Sequence, residues 1–221
     1  MKAISLNHIF KYVDNNKEKP ILSDISLEIQ NGEFVSIMGP SGSGKSTLLG
    51  IMAGIDNASK GNVYIDGTDI TKLNETQICK FRNEHIGIVL QSPNLVETLN
   101  ALENIEMPLV FSKGRGGKKY SKQLLELVGL EGKEKCYSKQ LSGGEAQRVA
   151  IARALACSPK IIMADEPTGA LDSENGKLVI EILKGIAKKD NVTIVMVTHD
   201  EELAKETDRI IYIKDGRVCN G

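Results

Sequence analysis

No apolar run in this 221-residue sequence approaches the roughly 20 residues that a membrane-spanning helix needs. No secretory signal opens the sequence either. If the chain works at a membrane, we therefore expect a partner to hold it there. We also find no internal repeat, no low-complexity tract and no interdomain linker. The length suits one α/β domain, or one domain with an inserted subdomain.

The sequence also has almost no net charge and no closely spaced pair of cysteines. Lys and Arg number 28 against 29 Asp and Glu, a formal net charge of −1, so no overall field favours nucleic acid or anionic lipid. The cysteines are widely spaced and form no C-x-x-C pair, which is typical of reduced, structural thiols in a cytosolic protein. They are Cys79, Cys136, Cys157 and Cys219. A hydrophobic content of 41% is enough for a core.

One glycine-rich stretch fits the phosphate-binding pattern G-x-x-x-x-G-K-[ST]. It consists of Gly39, Pro40, Ser41, Gly42, Ser43, Gly44, Lys45 and Ser46, with Thr47 next. Glycines let the backbone direct several N–H groups at one anion. Lys45 suits the β- and γ-phosphates, and the Ser46 hydroxyl suits Mg²⁺. An apolar strand (Phe34–Met38) precedes the turn and a helix (about Lys45 to Ala53) follows it, so the pattern predicts a nucleotide site rather than an ordinary turn.

Polar residues follow three further apolar strands, where ligands of open α/β sheets bind. Asp165 at the end of one strand suits a Mg²⁺ ligand, and Glu166 is expected to point the other way, toward an attacking water. His199 follows a second strand and is interpreted as a γ-phosphate sensor. Gln91 follows a third; it reaches Mg²⁺ or the attacking water, or is a solvated loop residue.

A second glycine-bearing turn precedes a helix that is apolar nearly all round. Ser142, Gly143 and Gly144 open the helix predicted at 146–157, which makes a second anion site by the same physics. This second site serves either the same nucleotide or one held by another copy of the chain. Further on, Asp172 or Ser173 is expected to cap another helix.

The N-terminal third predicts an antiparallel sheet beside the nucleotide. Strands are expected at 2–10, 25–29 and 61–65, a loop at 14–20 and a hairpin turn at Asn31-Gly32. Tyr12 lies near the tip of these strands, where it stacks on adenine or is an ordinary strand-end tyrosine. From residue 92 to about 159 the pattern is helical, and Leu124, Leu127 and Val128 are expected to share one face.

These motifs, in this order and over essentially the whole chain, resemble the nucleotide-binding domain of ABC transporters. The order L-S-G-G-E, I-I-M-A-D-E, A-L-D and T-H-D is highly specific. The resemblance implies an α/β fold: a P-loop NTPase core with a mainly parallel sheet, an N-terminal antiparallel β subdomain and an inserted α-helical subdomain. It divides a single domain, 1–221, into a RecA-like core with the β part (1–91 and 158–221) and a helical subdomain (about 92–157).

The resemblance also implies roles for the residues above, with ATP and Mg²⁺ as cofactors. Tyr12 becomes the adenine-stacking aromatic, Gln91 the Mg²⁺- and permease-sensing glutamine, Glu166 the general base, Asp172 the interface aspartate and His199 the switch histidine. In the family, the turn Ser142–Gly144 contacts ATP held by the P-loop of a partner copy. The resemblance therefore implies a nucleotide-dependent head-to-tail homodimer on a membrane permease, at the cytoplasmic face of the membrane, with no nucleic acid partner.

The stretch N-L-V-E-T-L-N-A-L-E-N-I-E-M-P-L looks most like the macrolide-exporter and lipoprotein-releasing branch, which includes antimicrobial-peptide resistance transporters. This branch implies export or extraction of a hydrophobic or peptide-like substrate. Leu90, where an aromatic is usual, and Glu145, for the commoner Gln, depart mildly from the pattern. In the family, the segment from Gln91 to Pro108 receives a permease helix. Its apolar residues either belong to the core or, if at least Leu95 or Val96 is exposed, supply an apolar anchor for that helix.

Two other functions are weighed against transport. One is a regulatory ATPase that drives a mechanical signal through a membrane partner, as in the cell-division relative of this branch. The other is a P-loop kinase for a small acceptor, which the L-S-G-G-E turn disfavours. DNA-repair ATPases with these motifs need a long coiled-coil insertion, and the sequence has no such heptad stretch.

Overall fold

The computed structural model describes residues 1–13, 16–112 and 117–219, with residues 16–19 as backbone only. Its strands are β1 (Lys2–Val13), β2 (Asn16–Gln30), β3 (Phe34–Met38), β4 (Lys60–Ile65), β5 (Thr68–Asp69), β6 (Ile86–Val89), β7 (Ile161–Asp165), β8 (Thr193–Val197), β9 (Arg209–Lys214) and β10 (Arg217–Cys219). Its α-helices are α1 (Lys45–Met52), α2 (Glu75–His85), α3 (Ala101–Glu106), α4 (Lys118–Leu127), α5 (Gly143–Leu155), α6 (Ser173–Asp190) and α7 (Glu201–Ala204). Short 3₁₀ helices cover Ile70–Lys72, Met107–Phe111 and Ser138–Gln140. None of the described helices is both long and apolar enough to span a membrane.

A mainly parallel sheet with the strand order β10-β9-β3-β8-β7-β6 organises the fold. Strands β9, β3, β8, β7 and β6 pair in parallel, and only β10 is antiparallel to its neighbour. The carboxyl ends of β3, β8, β7 and β6 therefore lie at one edge. This arrangement confirms the predicted α/β class with a mainly parallel sheet.

Successive side chains of these strands point to opposite faces of the sheet and pack in two separate hydrophobic cores, one on each face. Ile161 and Met163 of β7 pack with α1 and the antiparallel sheet, whereas Ile162 and Ala164 pack on the opposite face with α3, α4, α5 and α6. On α4 the buried stripe holds Ser121, Leu124 and Leu125 and continues to Val128. Leu127 is 43% exposed, so its predicted place on this face was wrong, because it falls off the 3.6-residue stripe.

A second, antiparallel sheet has the order β2-β1-β4-β5, as predicted for the N-terminal third. Residues 16–20 belong to β2 and pair with β1, so the expected loop was wrong there, and Asp14 and Asn15 lie outside the described residues. Backbone pairing forms this part of the ladder, and a run of polar side chains gives no periodic signal for it.

The turn at Asn31-Gly32 does not make a hairpin. It leads from β2 in the antiparallel sheet to β3 in the parallel sheet, and the Gly32 N–H donates to Thr193 Oγ1 at 2.9 Å. The hairpin prediction was wrong because Asn-Gly favours a tight turn with positive φ without fixing which strands pair. Asp66-Gly67 does join a hairpin, with Ile65 opposite Thr68.

Candidate functional site

The glycine-rich turn joins β3 to α1 through backbone that side chains would obstruct. Gly39 has a φ of 151°, and a Cβ there would lie 1.9 Å from the carbonyl oxygen of Ile213. Gly44 precedes α1 with a φ of 97°, and a Cβ there would lie 2.7 Å from Leu22 Cδ2 in β2. The turn therefore packs tightly between both sheets, and its outer side remains open as a cleft.

Lys45 is folded back into this turn. The side chain is 8% exposed, and its ammonium donates to the carbonyl oxygens of Gly39 at 2.9 Å and Pro40 at 2.8 Å. The nearby Ser43 hydroxyl is buried without a hydrogen-bond partner among the described residues. A phosphate oxygen is a charged and therefore stronger acceptor than these carbonyls, so the turn holds a cation and a spare hydroxyl ready for an anion.

Ser46, at the start of α1, lies next to Asp165, at the end of β7. The Ser46 hydroxyl donates to Asp165 Oδ1 at 3.1 Å. Burial raises the pKa of Asp165, and the nearby Glu166 charge adds to that rise, while Ser46 and Lys45 oppose it. The two side chains offer the hydroxyl and carboxylate oxygens that Mg²⁺ prefers, and a cation between them would relieve the buried charge.

Glu166 and His199 meet at the ends of the neighbouring strands β7 and β8. Oε1 of Glu166 lies 3.3 Å from Nδ1 of His199. Glu166 has a φ of 45°, unusual for a residue other than glycine, and its N–H donates to the Val197 carbonyl at 2.9 Å. Glu166 therefore has a left-handed backbone at the point where its carboxylate meets His199. Such strain persists where surrounding structure enforces it, often at functional sites.

Gln91 reaches the same corner from the end of β6. A Cβ on Gly169 would lie 2.9 Å from Gln91 Nε2 and 3.3 Å from Glu166 Oε2. The side chains of Gln91 and Glu166 therefore converge on the bare backbone of Gly169. Sequence reasoning did not select Gly169; a glycine three residues after a strand-end acid is the signal that it missed.

The P-loop cleft is a cavity of about 620 Å³, and residues at the ends of β7 and β8 form part of its lining. It is lined by Ile21, Gly39, Ser41, Gly42, Gly44, Lys45, Ser46, Thr47, Glu166 and His199. Ile21, which sequence reasoning did not select, enters from β2. Tyr12 pairs with Pro20, next to Ile21; its ring stacks on Phe10, and the Lys60 ammonium lies 5.9 Å from the ring centroid.

The second predicted anion site, the signature turn (residues 141–145), lies at the start of α5. Ser142 caps the helix by accepting from the Glu145 N–H at 3.2 Å, and Glu145 accepts from the Ser142 N–H at 2.8 Å. That N–H, with help from Lys133, lowers the pKa of Glu145. The glutamate that departs from the usual glutamine thus completes a capping box.

Asp172 stands beside this turn rather than beside the P-loop. It caps α6 by accepting from the Asn175 N–H at 2.9 Å and the Asn175 side-chain amide at 2.8 Å. A Cβ on Gly144 would lie 2.4 Å from Asn175 Oδ1. Asn175, another residue that sequence reasoning missed, therefore joins the starts of α5 and α6.

The structure thus separates the predicted site residues into two groups. Among the described residues, Ser142, Gly143, Gly144 and Asp172 are not part of the P-loop cleft lining. Ser142, Gly143 and Asp172 are exposed to solvent. A single chain thus presents a P-loop cleft and, apart from it, the signature turn with its exposed Ser142 and Gly143.

An apolar groove of about 620 Å³ runs between α2, β6 and the 3₁₀ helix Met107–Phe111. Its lining includes Cys79, Lys80, Arg82, Leu90, Met107, Pro108, Phe111 and Arg153. Phe111 is 79% exposed and Leu90 38% exposed. Of the residues predicted at this surface, Val96 is 36% exposed but does not line the groove, and Leu95 packs against the core.

Comparisons with known proteins agree with this architecture. The ABC transporter family model matches residues 22–169. An uncharacterized ABC transporter ATP-binding protein of Methanocaldococcus jannaschii is 47% identical over 218 residues, 97% of each chain. A macrolide export ATP-binding/permease protein of Mannheimia succiniciproducens is 41% identical over all of this chain, which spans 34% of that protein. The ATP-binding cassette MJ0796 of Methanocaldococcus jannaschii, solved as a post-hydrolysis dimer bound to ADP and Pi, has a TM-score of 0.89 at 44% identity, covering 98% of this chain and 97% of that one.

Proposed function

The chain belongs to the ABC transporter family, and on that premise we propose that it binds and hydrolyses ATP as the energy-supplying subunit of a membrane exporter. The convergence of the ends of β7 and β8 on the P-loop carries the proposal. It brings Asp165 to Ser46 at 3.1 Å and His199 to Glu166 at 3.3 Å. The proposed division of the single domain keeps the helical subdomain at about 92–157, between the strand ends that hold Gln91 and Asp165.

In this site, hydrolysis splits ATP and water into ADP and phosphate. Glu166 accepts a proton from the attacking water, and His199 orients that carboxylate and contacts the γ-phosphate. Lys45 and the amides of the P-loop stabilise the phosphoryl oxygens. Ser46, Asp165 and Gln91 would hold Mg²⁺, which would neutralise part of the negative charge of the phosphates.

The second anion site is completed by another copy. A glycine-bearing turn at a helix start suits phosphate; here Ser142 and Gly143 are exposed, yet the turn stands outside the chain's own cleft. In a head-to-tail dimer, Ser142, Gly143 and Gly144 would cover ATP held by the partner's P-loop, with Asp172 beside them. Tyr12, on the β1–β2 ladder next to Ile21, would stack on adenine.

The apolar groove is the proposed docking surface for the permease. Exposed Leu90 and Phe111, with half-buried Pro108, supply apolar contacts of the kind that helix-in-groove docking needs. Leu90 directly precedes Gln91, so a segment seated there would lie one residue from the nucleotide site. Through such a permease the chain would sit at the cytoplasmic face of the membrane. The 41% identity to a macrolide export protein supports a hydrophobic or peptide-like substrate.

Release of phosphate from MgATP by the purified chain, with no acceptor added, tests this function. We expect steady release that falls by about 10²–10⁴-fold in Glu166→Gln, because the carboxamide cannot take up the proton. Glu174→Gln, on the exposed first turn of α6, is the matched control and should retain activity. Phosphate transfer that requires an added small acceptor would instead favour a kinase.

A further inference from the structure

One helix holds the Gln91 segment on both of its sides. Helix α5 begins at the signature turn, and Gln147, five residues after Ser142, donates through Nε2 to the Leu90 carbonyl at 2.9 Å. Arg153, near the other end of α5, donates to the carbonyls of Pro93 at 2.7 Å and Asn94 at 2.8 Å. The backbone on either side of Gln91 is therefore bonded to the helix that carries the second anion site.

The Gln147 contact is specific rather than a by-product of packing. A carbonyl oxygen only accepts, so the Leu90 bond fixes the amide nitrogen toward β6. The other amide atom, Gln147 Oε1, is buried without a hydrogen-bond partner among the described residues, in a side chain that is 1% exposed. An apolar side chain of the same length would fill this volume without the cost of an unpaired acceptor.

Arg153 reinforces the contact at a strained point of the backbone. Burial lowers the pKa of the Arg153 guanidinium, and its bonds go to two neutral carbonyls. One of these belongs to Asn94, which has a left-handed φ of 46°. The next part of the segment is bonded to α3 instead: Asn104, 1% exposed, accepts from the Val96 N–H at 2.8 Å. Movement of α5 must therefore act on the segment from Leu90 to Asn94, which its side chains bond at both ends.

From this geometry we infer that Gln147 and Arg153 are positioning residues that couple the two ATP sites of the dimer. The inference rests on the proposed function, in which Gln91 serves the chain's own nucleotide and Ser142 the partner's. ATP bound by the partner would fix the start of α5, and α5 would then fix Gln91 through the Leu90 and Asn94 carbonyls. Such coupling is reciprocal, so each site promotes the other.

The test compares ATP hydrolysis as a function of ATP concentration for the wild-type chain, Gln147→Met and Gln123→Met. Methionine keeps the unbranched side chain and removes the amide donor. We expect a sigmoidal curve for the wild type, with a Hill coefficient between about 1 and 2 for two sites, and a coefficient near 1 for Gln147→Met. The affinity of a single, undimerised chain for a fluorescent ATP analogue should not change, because the coupling acts only between two chains. Gln123, exposed on α4, is the matched control and should keep the sigmoidal curve.

An unchanged Hill coefficient in Gln147→Met would overturn the inference, as would a wild-type chain that hydrolyses ATP without cooperativity. Neither result affects the proposed function, which fails only if the wild type does not hydrolyse ATP. If thermal melting shows that Gln147→Met does not fold, Arg153→Lys takes its place. Lysine keeps the charge but lacks the two guanidinium nitrogens that bond the Pro93 and Asn94 carbonyls. We therefore expect the same loss of cooperativity, and a sigmoidal curve would again contradict the inference.

Discussion

Oε1 of Glu166 and Nδ1 of His199 face each other at 3.3 Å across the ends of two neighbouring strands. Glu166 has a left-handed backbone, and its carboxylate has a different partner from that of Asp165, although the two acids are adjacent in sequence. One strand end therefore supplies two carboxylates in different surroundings. Asp165 faces the Ser46 hydroxyl, and Glu166 faces the imidazole.

His199→Asn should lower the turnover number of ATP hydrolysis by roughly 10²-fold or more while leaving ATP affinity nearly unchanged. The imidazole orients the general base, so its loss affects the transition state rather than ground-state binding. Steady-state kinetics would check this. His8→Asn, at the exposed pair with Asp24, is the control, since Asn tolerates the positive φ at that position. Loss of affinity with unchanged turnover would refute the assigned role.

Lys45→Ala should weaken ATP binding by at least about tenfold, because hydrogen bonds to charged groups contribute roughly 1.5–3 kcal/mol. Titration with a fluorescent ATP analogue measures the effect, and circular dichroism checks that the fold survives. Lys122→Ala, on the exposed side of α4, should bind normally. Near-native affinity of Lys45→Ala would show that nucleotide binds elsewhere.

Asp165→Asn should stabilise the nucleotide-free protein at neutral pH and weaken its activation by Mg²⁺. The folded-state pKa of Asp165 is raised, so the protonated carboxyl is favoured by folding. Its stabilising contribution is present below the unfolded pKa and is lost as pH rises through the folded pKa. Since the side chain is partly exposed, the gain at pH 7 should not exceed about 1 kcal/mol, or roughly 2–4 °C in melting temperature.

Melting curves of both proteins at pH 7 and in mild acid check this dependence. The difference in melting temperature should shrink as the pH falls and Asp165 takes up its proton. A variant less stable than the wild type at pH 7 would show that the carboxylate is stabilising in the free protein, contrary to the burial argument.

Phe111→Asp should abolish co-purification with the permease without affecting ATP binding. The aromatic ring lines the apolar groove, whereas its neighbour Val110, 78% exposed, does not. Val110→Asp is therefore the matched control and should retain the complex. Loss of the complex in both variants, or in neither, would place the docking surface elsewhere.

The sequence predicted best what depends on neighbouring residues. The P-loop, the strand ends at Asp165 and His199, and the cap at Asp172 each follow from a short local pattern, and the parallel sheet follows from several apolar strands in series. Contacts between distant segments left no such pattern. Gln147 and Leu90 are 57 positions apart, and neither residue type indicates that a hydrogen bond joins them.

The same limit explains the errors. The strand at residues 16–20 forms because β1 lies beside it, and the turn at Asn31-Gly32 separates two sheets because their partners are elsewhere in the chain. The sequence also left open whether Leu95 or Val96 is at the surface: Leu95 packs against the core, and Val96 is 36% exposed. Burial of a single apolar residue between polar neighbours depends on which helix folds over it, and local periodicity does not contain that information.

The shared ATP site is tested most directly by size-exclusion chromatography of Glu166→Gln with and without MgATP. Without hydrolysis, ATP should persist and hold two chains together, so the protein should elute at twice the mass of one chain with MgATP and as a single chain without it. Adding Ser142→Arg should abolish the dimer, because Ser142 is exposed in its own chain and would face the partner's nucleotide. A Glu166→Gln protein that binds MgATP and stays monomeric, or a dimer that survives Ser142→Arg, would contradict the account.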